Sequence, residues 1–125
     1  MIASLEAQDA IYHELRQFIG SETLYQHWTN QLRYTEGVKF LAERCGAYWL
    51  IDAIASWQPK ALKDTSLAEF QLWELMVKDD SSADLVCSRD SDDAVFRQKI
   101  PFTDCPLALV RLYVEGDVLL LPSEH

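Results

Sequence analysis

Two of the residues able to do chemistry lie in the most apolar stretch of the chain. Asp52 and Ser56 are the polar residues of the run 47–57, and on a helix a spacing of four places them one turn apart on one side. The simplest interpretation is a narrow solvent-facing stripe. A second is a buried carboxylate bonded to Ser56 or to backbone, because an unpaired buried charge is costly. The third is a pocket carboxylate that takes part in acid–base chemistry.

A second group places a titratable ring between aromatic side chains. His27 lies between Tyr25 and Trp28, and it could act as a general base. The sequence has no Gly-rich phosphate loop, no Gly-x-Ser-x-Gly elbow and no His-Glu-x-x-His motif, so nothing assigns a nucleophile to this ring. We assign no catalytic residue. The candidate pocket consists of Asp52, Ser56, His27, Tyr25 and Trp28.

The cysteines predict neither a metal site nor a disulfide framework. Cys45, Cys87 and Cys105 are an odd set at wide spacings, without a Cys-x-x-Cys pair. A structural zinc site needs four ligands in close pairs, and secreted frameworks use even sets. Residues 1–20 also carry charges that the apolar region of a signal peptide excludes. We therefore expect reduced thiols, no cofactor, no metal and a cytoplasmic location.

The chain is acidic, and its second half carries most of the excess. The 125 residues hold 20 acidic and 11 basic side chains, a net charge of −9. Residues 1–63 hold seven acidic and six basic side chains, whereas residues 64–125 hold thirteen and five. Because such a surface repels phosphates and anionic lipids, we expect no direct nucleic-acid binding and no membrane binding. A basic protein partner fits, and the turns that could face it contain Asp79, Asp80, Asp90, Asp92 and Asp93.

Helical periodicity dominates the first half of the chain. Apolar residues at spacings of three and four predict a helix over 4–19, and similar spacing predicts another over 22–33 with Ser21 as its cap. The Tyr, Trp and Thr residues of 22–33 also suit strands. Thr35 is the expected N-cap of a third helix, which should end near Gly46.

The run 47–58 predicts the central helix of the fold, because it is apolar nearly all round and must be buried on most faces. Pro59 is expected to end it. From residue 70 onward the period becomes extended, with turn-rich separators between the runs. The predicted strands cover 70–78, 83–89, 95–100, 109–115 and 118–121.

These elements predict one domain of the α+β class. N-terminal helices should pack on one face of an antiparallel β-meander of about five strands, because the connections are too short for parallel crossovers. Residues 1–58 should be mainly helical, 59–69 a connecting segment and 70–125 mainly β. The strand 70–78 has apolar residues on both faces, so its second face needs a cover, either the segment 59–69 or another copy of the chain. We expect a homodimer.

Four stretches of the sequence together carry a resemblance to a known family: 34–43, 47–56, 70–75 and 119–124. Through them the chain resembles an uncharacterised bacterial family of small acidic proteins, a domain of unknown function often met on plasmids and other mobile elements. The resemblance covers about residues 15–125, and it implies no activity and no site residue.

The leading functional hypothesis is a non-enzymatic, cytoplasmic protein-interaction module, since Trp and Tyr are enriched at interfaces. One alternative is a small enzyme or small-ligand protein built around Asp52 and His27. Another is an acidic nucleic-acid mimic that inhibits a DNA-binding protein, which would need carboxylates spaced like phosphates on one face.

Overall fold

The computed structural model describes residues 2–20, 23–89 and 93–125. The helices in this part of the chain are α1 (Leu5–Leu15), α2 (Glu36–Cys45), α3 (Tyr48–Ala61), α4 (Thr65–Glu69) and a closing 3-10 turn (Pro122–Glu124). The strands are β1 (Leu24–Gln26), β2 (Arg33–Thr35), β3 (Phe70–Val77), β4 (Ala83–Ser88), β5 (Ala94–Ile100), β6 (Leu109–Glu115) and β7 (Val118–Leu120). The fold is therefore α+β, as predicted. None of the described helices is long and apolar enough to cross a membrane.

The sheet differs from the predicted meander in size and in direction. It has seven strands in the order β1-β2-β7-β6-β3-β4-β5. The pair β2–β7 is parallel, whereas every other neighbouring pair among these strands is antiparallel. The prediction of about five antiparallel strands was wrong because β1 and β2 come from the segment expected to be helical. They join the sheet at its far edge, beside the last strand of the chain.

The predicted helix over 22–33 is a β-hairpin in the described residues 23–33, while Ser21 and Glu22 lie outside them. The His27 N–H donates to the Leu32 carbonyl at 2.9 Å, and Asn30 has a left-handed φ of +61° in the turn. The strand preference of Tyr and Thr decides the local structure here, because short β-rich segments gain pairing partners from the sheet. Helices therefore do not fill the first 58 residues.

The helix boundaries also move. α1 ends at Leu15 rather than at residue 19. At this end of the helix, the Leu15 carbonyl accepts a hydrogen bond from the Ser123 hydroxyl at 3.3 Å. Pro59 does not end α3, which continues to Ala61, because a proline in the last turn removes a single hydrogen bond and already has a helical φ. The expected connecting segment 59–69 thus contains the end of α3 and all of α4.

The central helix is confirmed by its burial. Ile54 and Ala55 are fully buried, and Leu50 and Ile51 each expose 3% of their surface. One face of the sheet, including Trp73 on β3, joins the same apolar core. The helix caps follow local chemistry, since the Thr35 hydroxyl accepts from the Val38 N–H at 3.2 Å.

The opposite sheet face, called here the open face, is partly covered by the chain's own end. His125 contacts Phe70 and Tyr113 edge-on, with ring centroids 5.6 and 5.1 Å apart. The segment 59–69 does not cover this face, since its Ala61 and Leu67 belong to the core on the helical side. Met76 remains 37% exposed on the open face. The homodimer stays a prediction.

Candidate functional site

The β1–β2 hairpin positions the first half of the candidate site. Its turn begins at His27, whose carbonyl accepts from the Asn30 N–H at 2.9 Å. The turn buries His27 to 4% exposure and leaves the neighbouring Trp28 79% exposed. A large indole at that exposure needs an explanation, because it has given up little water contact on folding.

Helix α3 supplies the second half. Tyr48, Ile51 and Asp52 follow the i, i+3, i+4 spacing and therefore share one side of its first turns. Ile51 is buried, Tyr48 is 42% exposed and the Asp52 side chain is 53% exposed. The first interpretation of Asp52, a solvent-facing stripe, is thus correct for its exposure, but the carboxylate also has partners from the hairpin.

Asp52 joins the hairpin to the helix through a single oxygen. Its Oδ1 lies 2.6 Å from His27 Nε2 and accepts from Trp28 Nε1 at 3.2 Å. No hydrogen bond from a described residue reaches Oδ2. The carboxylate therefore holds the indole edge in place and keeps one oxygen available for a further donor.

The far side of the His27 ring fixes its tautomer. The Thr29 N–H donates to Nδ1 at 3.2 Å, and the Thr29 hydroxyl lies 2.7 Å from the same nitrogen. Nδ1 is therefore an acceptor, and the ring proton is on Nε2, where it is donated to Asp52. Both ring nitrogens are engaged, so His27 has no nitrogen with which to take a proton from a substrate. The arrangement acts as a support for Asp52 and Trp28.

These residues enclose a cavity of about 210 Å³ that opens to the surface. Its chemistry is aromatic and acidic: two tyrosines, an exposed indole and one carboxylate. The Tyr48 hydroxyl donates to Glu43 at 3.0 Å, and burial together with this carboxylate raises the pKa of Tyr48. The lining residues are Gln26, His27, Trp28, Tyr34, Tyr48, Ile51 and Asp52.

The structure brings together Asp52, His27 and Trp28 from the predicted set, but not the other two members. Tyr25 stacks on Tyr34 at 5.5 Å outside this cavity. The Ser56 hydroxyl donates to the Ala53 carbonyl of its own helix at 2.6 Å.

Sequence reasoning missed Thr29, Tyr34 and Tyr48. Tyr48 could have been found from its i, i+4 relation to Asp52. Tyr34 and Thr29 depend on a hairpin that the helical spacing concealed.

Two carboxylates of the acidic turns, those of Asp80 and Asp93, form hydrogen bonds with nearby residues of the chain. The Asp80 carboxylate accepts from the Ser82 N–H at 3.0 Å and from its hydroxyl at 2.6 Å, which lowers the pKa of Asp80. Asp93 accepts from Arg89 at 2.9 Å, whereas no hydrogen bond or ion pair within the described residues involves the Asp79 side chain. Asp90 and Asp92 lie outside the described residues.

The thiols are buried, and the described ranges contain no group of three or more His, Cys, Asp or Glu arranged to hold a metal. Burial raises the pKa of Cys87 to about 12. A hydrogen bond to Cys105, together with burial, raises the pKa of Cys45. The Cys45 and Cys87 thiols are therefore poor nucleophiles in the folded chain. The same hydrogen bond acts in the opposite direction on its other partner and lowers the pKa of Cys105 to about 7, although this thiol is fully buried.

Fold and site together define a small α+β protein with a seven-stranded mixed sheet and an aromatic, carboxylate-bearing surface pocket at its β1–β2 edge. A model of a family of unknown function, DUF6876, matches residues 9–125, and the chain belongs to that family. This confirms the resemblance to an uncharacterised domain, while the bacterial and mobile-element associations stay predictions. Searches of the curated proteins and of the solved structures found no match.

Proposed function

We propose that this chain is a cytoplasmic protein-interaction module that takes a basic side chain of its partner into the pocket formed by Trp28, Tyr48 and Asp52. The observation that carries the proposal is the exposed indole of Trp28, tethered at 3.2 Å to a carboxylate oxygen. Tryptophan is enriched among the residues that dominate binding energies. A tethered indole also loses less freedom on binding than a mobile one.

The chemistry of the pocket favours a cation. A lysine ammonium or an arginine guanidinium can rest on an aromatic face and donate to Asp52 Oδ2 at the same time. The net charge of −9 attracts such a partner at long range. Three free cysteines are consistent with a reducing compartment.

The two alternatives have less support. A small enzyme that used His27 as its base would need a free ring nitrogen, but His27 donates to Asp52 and accepts from Thr29. A nucleic-acid mimic needs an uninterrupted acidic face, but cations pair with carboxylates across the open face. These pairs include Arg111–Glu74 at 2.9 Å and Lys78–Asp84 at 3.4 Å.

Selection from a random peptide library, with the folded chain as the target, tests the proposal. Enriched peptides should share a lysine or arginine. Their affinity should fall roughly tenfold or more for Asp52→Asn and for Trp28→Ala, the scale expected for an interface hot spot. Asp9→Asn is the matched control, because it removes the same charge from an exposed position of α1 that belongs to no candidate site.

Peptides without a basic residue, or peptides that bind the Asp52→Asn and Asp9→Asn variants equally, would contradict the proposal. Circular dichroism of each variant must first show an unchanged fold, and Trp28→Phe provides a milder substitution that keeps an aromatic ring and removes the tether.

A further inference from the structure

A second cavity lies on another side of the molecule, where α1 closes a gap in the sheet. Strand β7 pairs with β6 only as far as Leu120, opposite Tyr113. Two residues earlier on β6 is Arg111, whose position in this register would face Pro122. Proline has no N–H to offer, so the pairing stops and the chain turns away. The Tyr12 hydroxyl of α1 donates instead to the neighbouring Leu109 carbonyl.

The gap leaves an apolar cavity of about 230 Å³, called here the α1–β6 cavity. An engineered apolar cavity of about 150 Å³ binds benzene, so this space is large enough for a six-membered ring with a substituent. Its apolar wall includes Leu15, Leu41, Leu107, Val110 and Leu121.

Most polar groups that line this cavity already have partners. Tyr12 donates to Leu109, and Ser123 donates to the Leu15 carbonyl. The Arg111 guanidinium donates twice to Glu74, at 3.2 and 2.9 Å. Arg16 differs, because its guanidinium forms no hydrogen bond or ion pair with the described residues.

We propose that the α1–β6 cavity binds a small monocarboxylic acid, with its aromatic or branched aliphatic body in the cavity and its carboxylate on Arg16. An arginine fork and a carboxylate match in geometry and can form two parallel charge-assisted bonds. A protein with net charge −9 repels anions in general, so carboxylate binding depends on this local cation. The site uses none of the residues of the Trp28 pocket and stands or falls independently of it.

Fluorine NMR with three probes of similar size tests the assignment: 4-fluorobenzoate, 4-fluorobenzyl alcohol and 4-fluorobenzylamine. Line broadening measures the dissociation constant of each. We expect 4-fluorobenzoate to bind most tightly and 4-fluorobenzylamine least. Arg16→Gln should weaken 4-fluorobenzoate roughly tenfold, the usual effect of losing a charge-assisted pair.

Lys63→Gln is the matched control, since it removes one exposed positive charge elsewhere and should leave the affinity unchanged within about twofold. Leu15→Trp should fill the cavity and abolish binding. If that variant does not fold, amide shifts in the original chain locate the probe, and they should concentrate at residues 15, 111 and 121.

Three results would each overturn the assignment. The first is no broadening of any probe at millimolar concentration. The second is equal affinity for the benzoate and the alcohol, which would mark an apolar cavity without carboxylate recognition. The third is equal loss of affinity in Arg16→Gln and Lys63→Gln, which would mark a general effect of charge.

Discussion

His27 organises the site at the scale of single residues. Its ring accepts from the Thr29 N–H and donates to Asp52, which in turn holds the indole of Trp28. His27→Ala should lower the free energy of unfolding by about 1–3 kcal/mol, because the half-buried Thr29 N–H and the Asp52 carboxylate both lose a partner. Urea unfolding measures this. Ser56→Ala is the control and should change stability by less than about 0.5 kcal/mol, since Ser56 is exposed and bonds only within its own helix. Equal effects of the two substitutions would refute the role given to His27.

Gly37 packs closely against the side chains of the C-terminal turn. A Cβ at this position of α2 would lie 2.5 Å from Glu124 Oε1 and 2.7 Å from Leu121 Cδ1. Replacing glycine by alanine inside a helix usually stabilises it by up to about 1 kcal/mol. Here we expect the opposite sign, because the carboxylate that accepts from the Thr35 hydroxyl at 2.6 Å must move. Thermal unfolding of Gly37→Ala should show a lower midpoint than that of the original chain. When both proteins also carry Glu124→Ala, the difference between their midpoints should be smaller. A raised midpoint for Gly37→Ala alone would exclude this contact.

At the scale of elements, Asp64 fastens α4 to β4. Its Oδ1 accepts from the Ser66 N–H at 2.9 Å, and its Oδ2 accepts from Arg89 at 2.6 Å. The bond from Arg89 is the main reason that the pKa of Asp64 lies below its ordinary value. The pKa of Asp64 is lower in the folded chain than in the unfolded chain, where it is about 3.9, so the ionised carboxylate stabilises the fold at any pH above about 3.9. This stabilisation disappears as the pH falls through the pKa that Asp64 has in the folded chain.

The loss on acidification can be measured against Asp64→Asn, which does not titrate. Urea unfolding should show the original chain more stable than the variant at pH 6, with the difference shrinking from about pH 5 towards pH 2. Asp79→Asn, at a carboxylate without a described partner, should show no comparable trend. A difference between the original chain and Asp64→Asn that is constant over this range would contradict the lowered pKa.

The elements that sequence predicted well have strong local signals. α2 has its Thr35 cap and its left-handed Gly46, with φ +61°, and β3 to β6 lie within one residue of the predicted bounds. The β1–β2 hairpin was missed because three-residue strands carry almost no periodicity and are stabilised by pairing with distant residues. The buried amide pair of Gln58 and Gln71, joined at 2.8 and 2.9 Å, was equally invisible, since its partners meet only in the folded core.

At the scale of the whole molecule, the sheet and the pocket depend on contacts between distant parts of the chain. The parallel pair β2–β7 joins residues 33–34 to 118–119, and no local pattern announces such a pairing. The sequence named Asp52, His27 and Trp28 in one candidate set because residue type alone marks them, and the structure brings these three side chains into contact. It could not tell that His27 donates to Asp52 rather than to a substrate, since this depends on the turn that brings Thr29 to the other ring nitrogen.

Net charge acts on the whole molecule, and its effect on stability can be measured separately from that of a single ion pair. Asp79 has no described partner, whereas Asp93 pairs with Arg89 at 2.9 Å. Asp79→Asn should leave the thermal midpoint unchanged or raise it at low salt, because it relieves self-repulsion in a chain of net charge −9. Asp93→Asn should lower the midpoint, because the stability lost with the ion pair to Arg89 outweighs the relief of self-repulsion.

Scanning calorimetry at 20 mM and 500 mM NaCl measures both effects. At the higher salt, charge interactions reach only a few ångströms, so the midpoint of Asp79→Asn should return to that of the original chain. Asp93→Asn should stay lower, because its ion pair spans only 2.9 Å. If Asp79→Asn lowers the midpoint as much as Asp93→Asn does, then both carboxylates stabilise the fold to the same extent. Self-repulsion from the net charge would then not limit the stability of this chain.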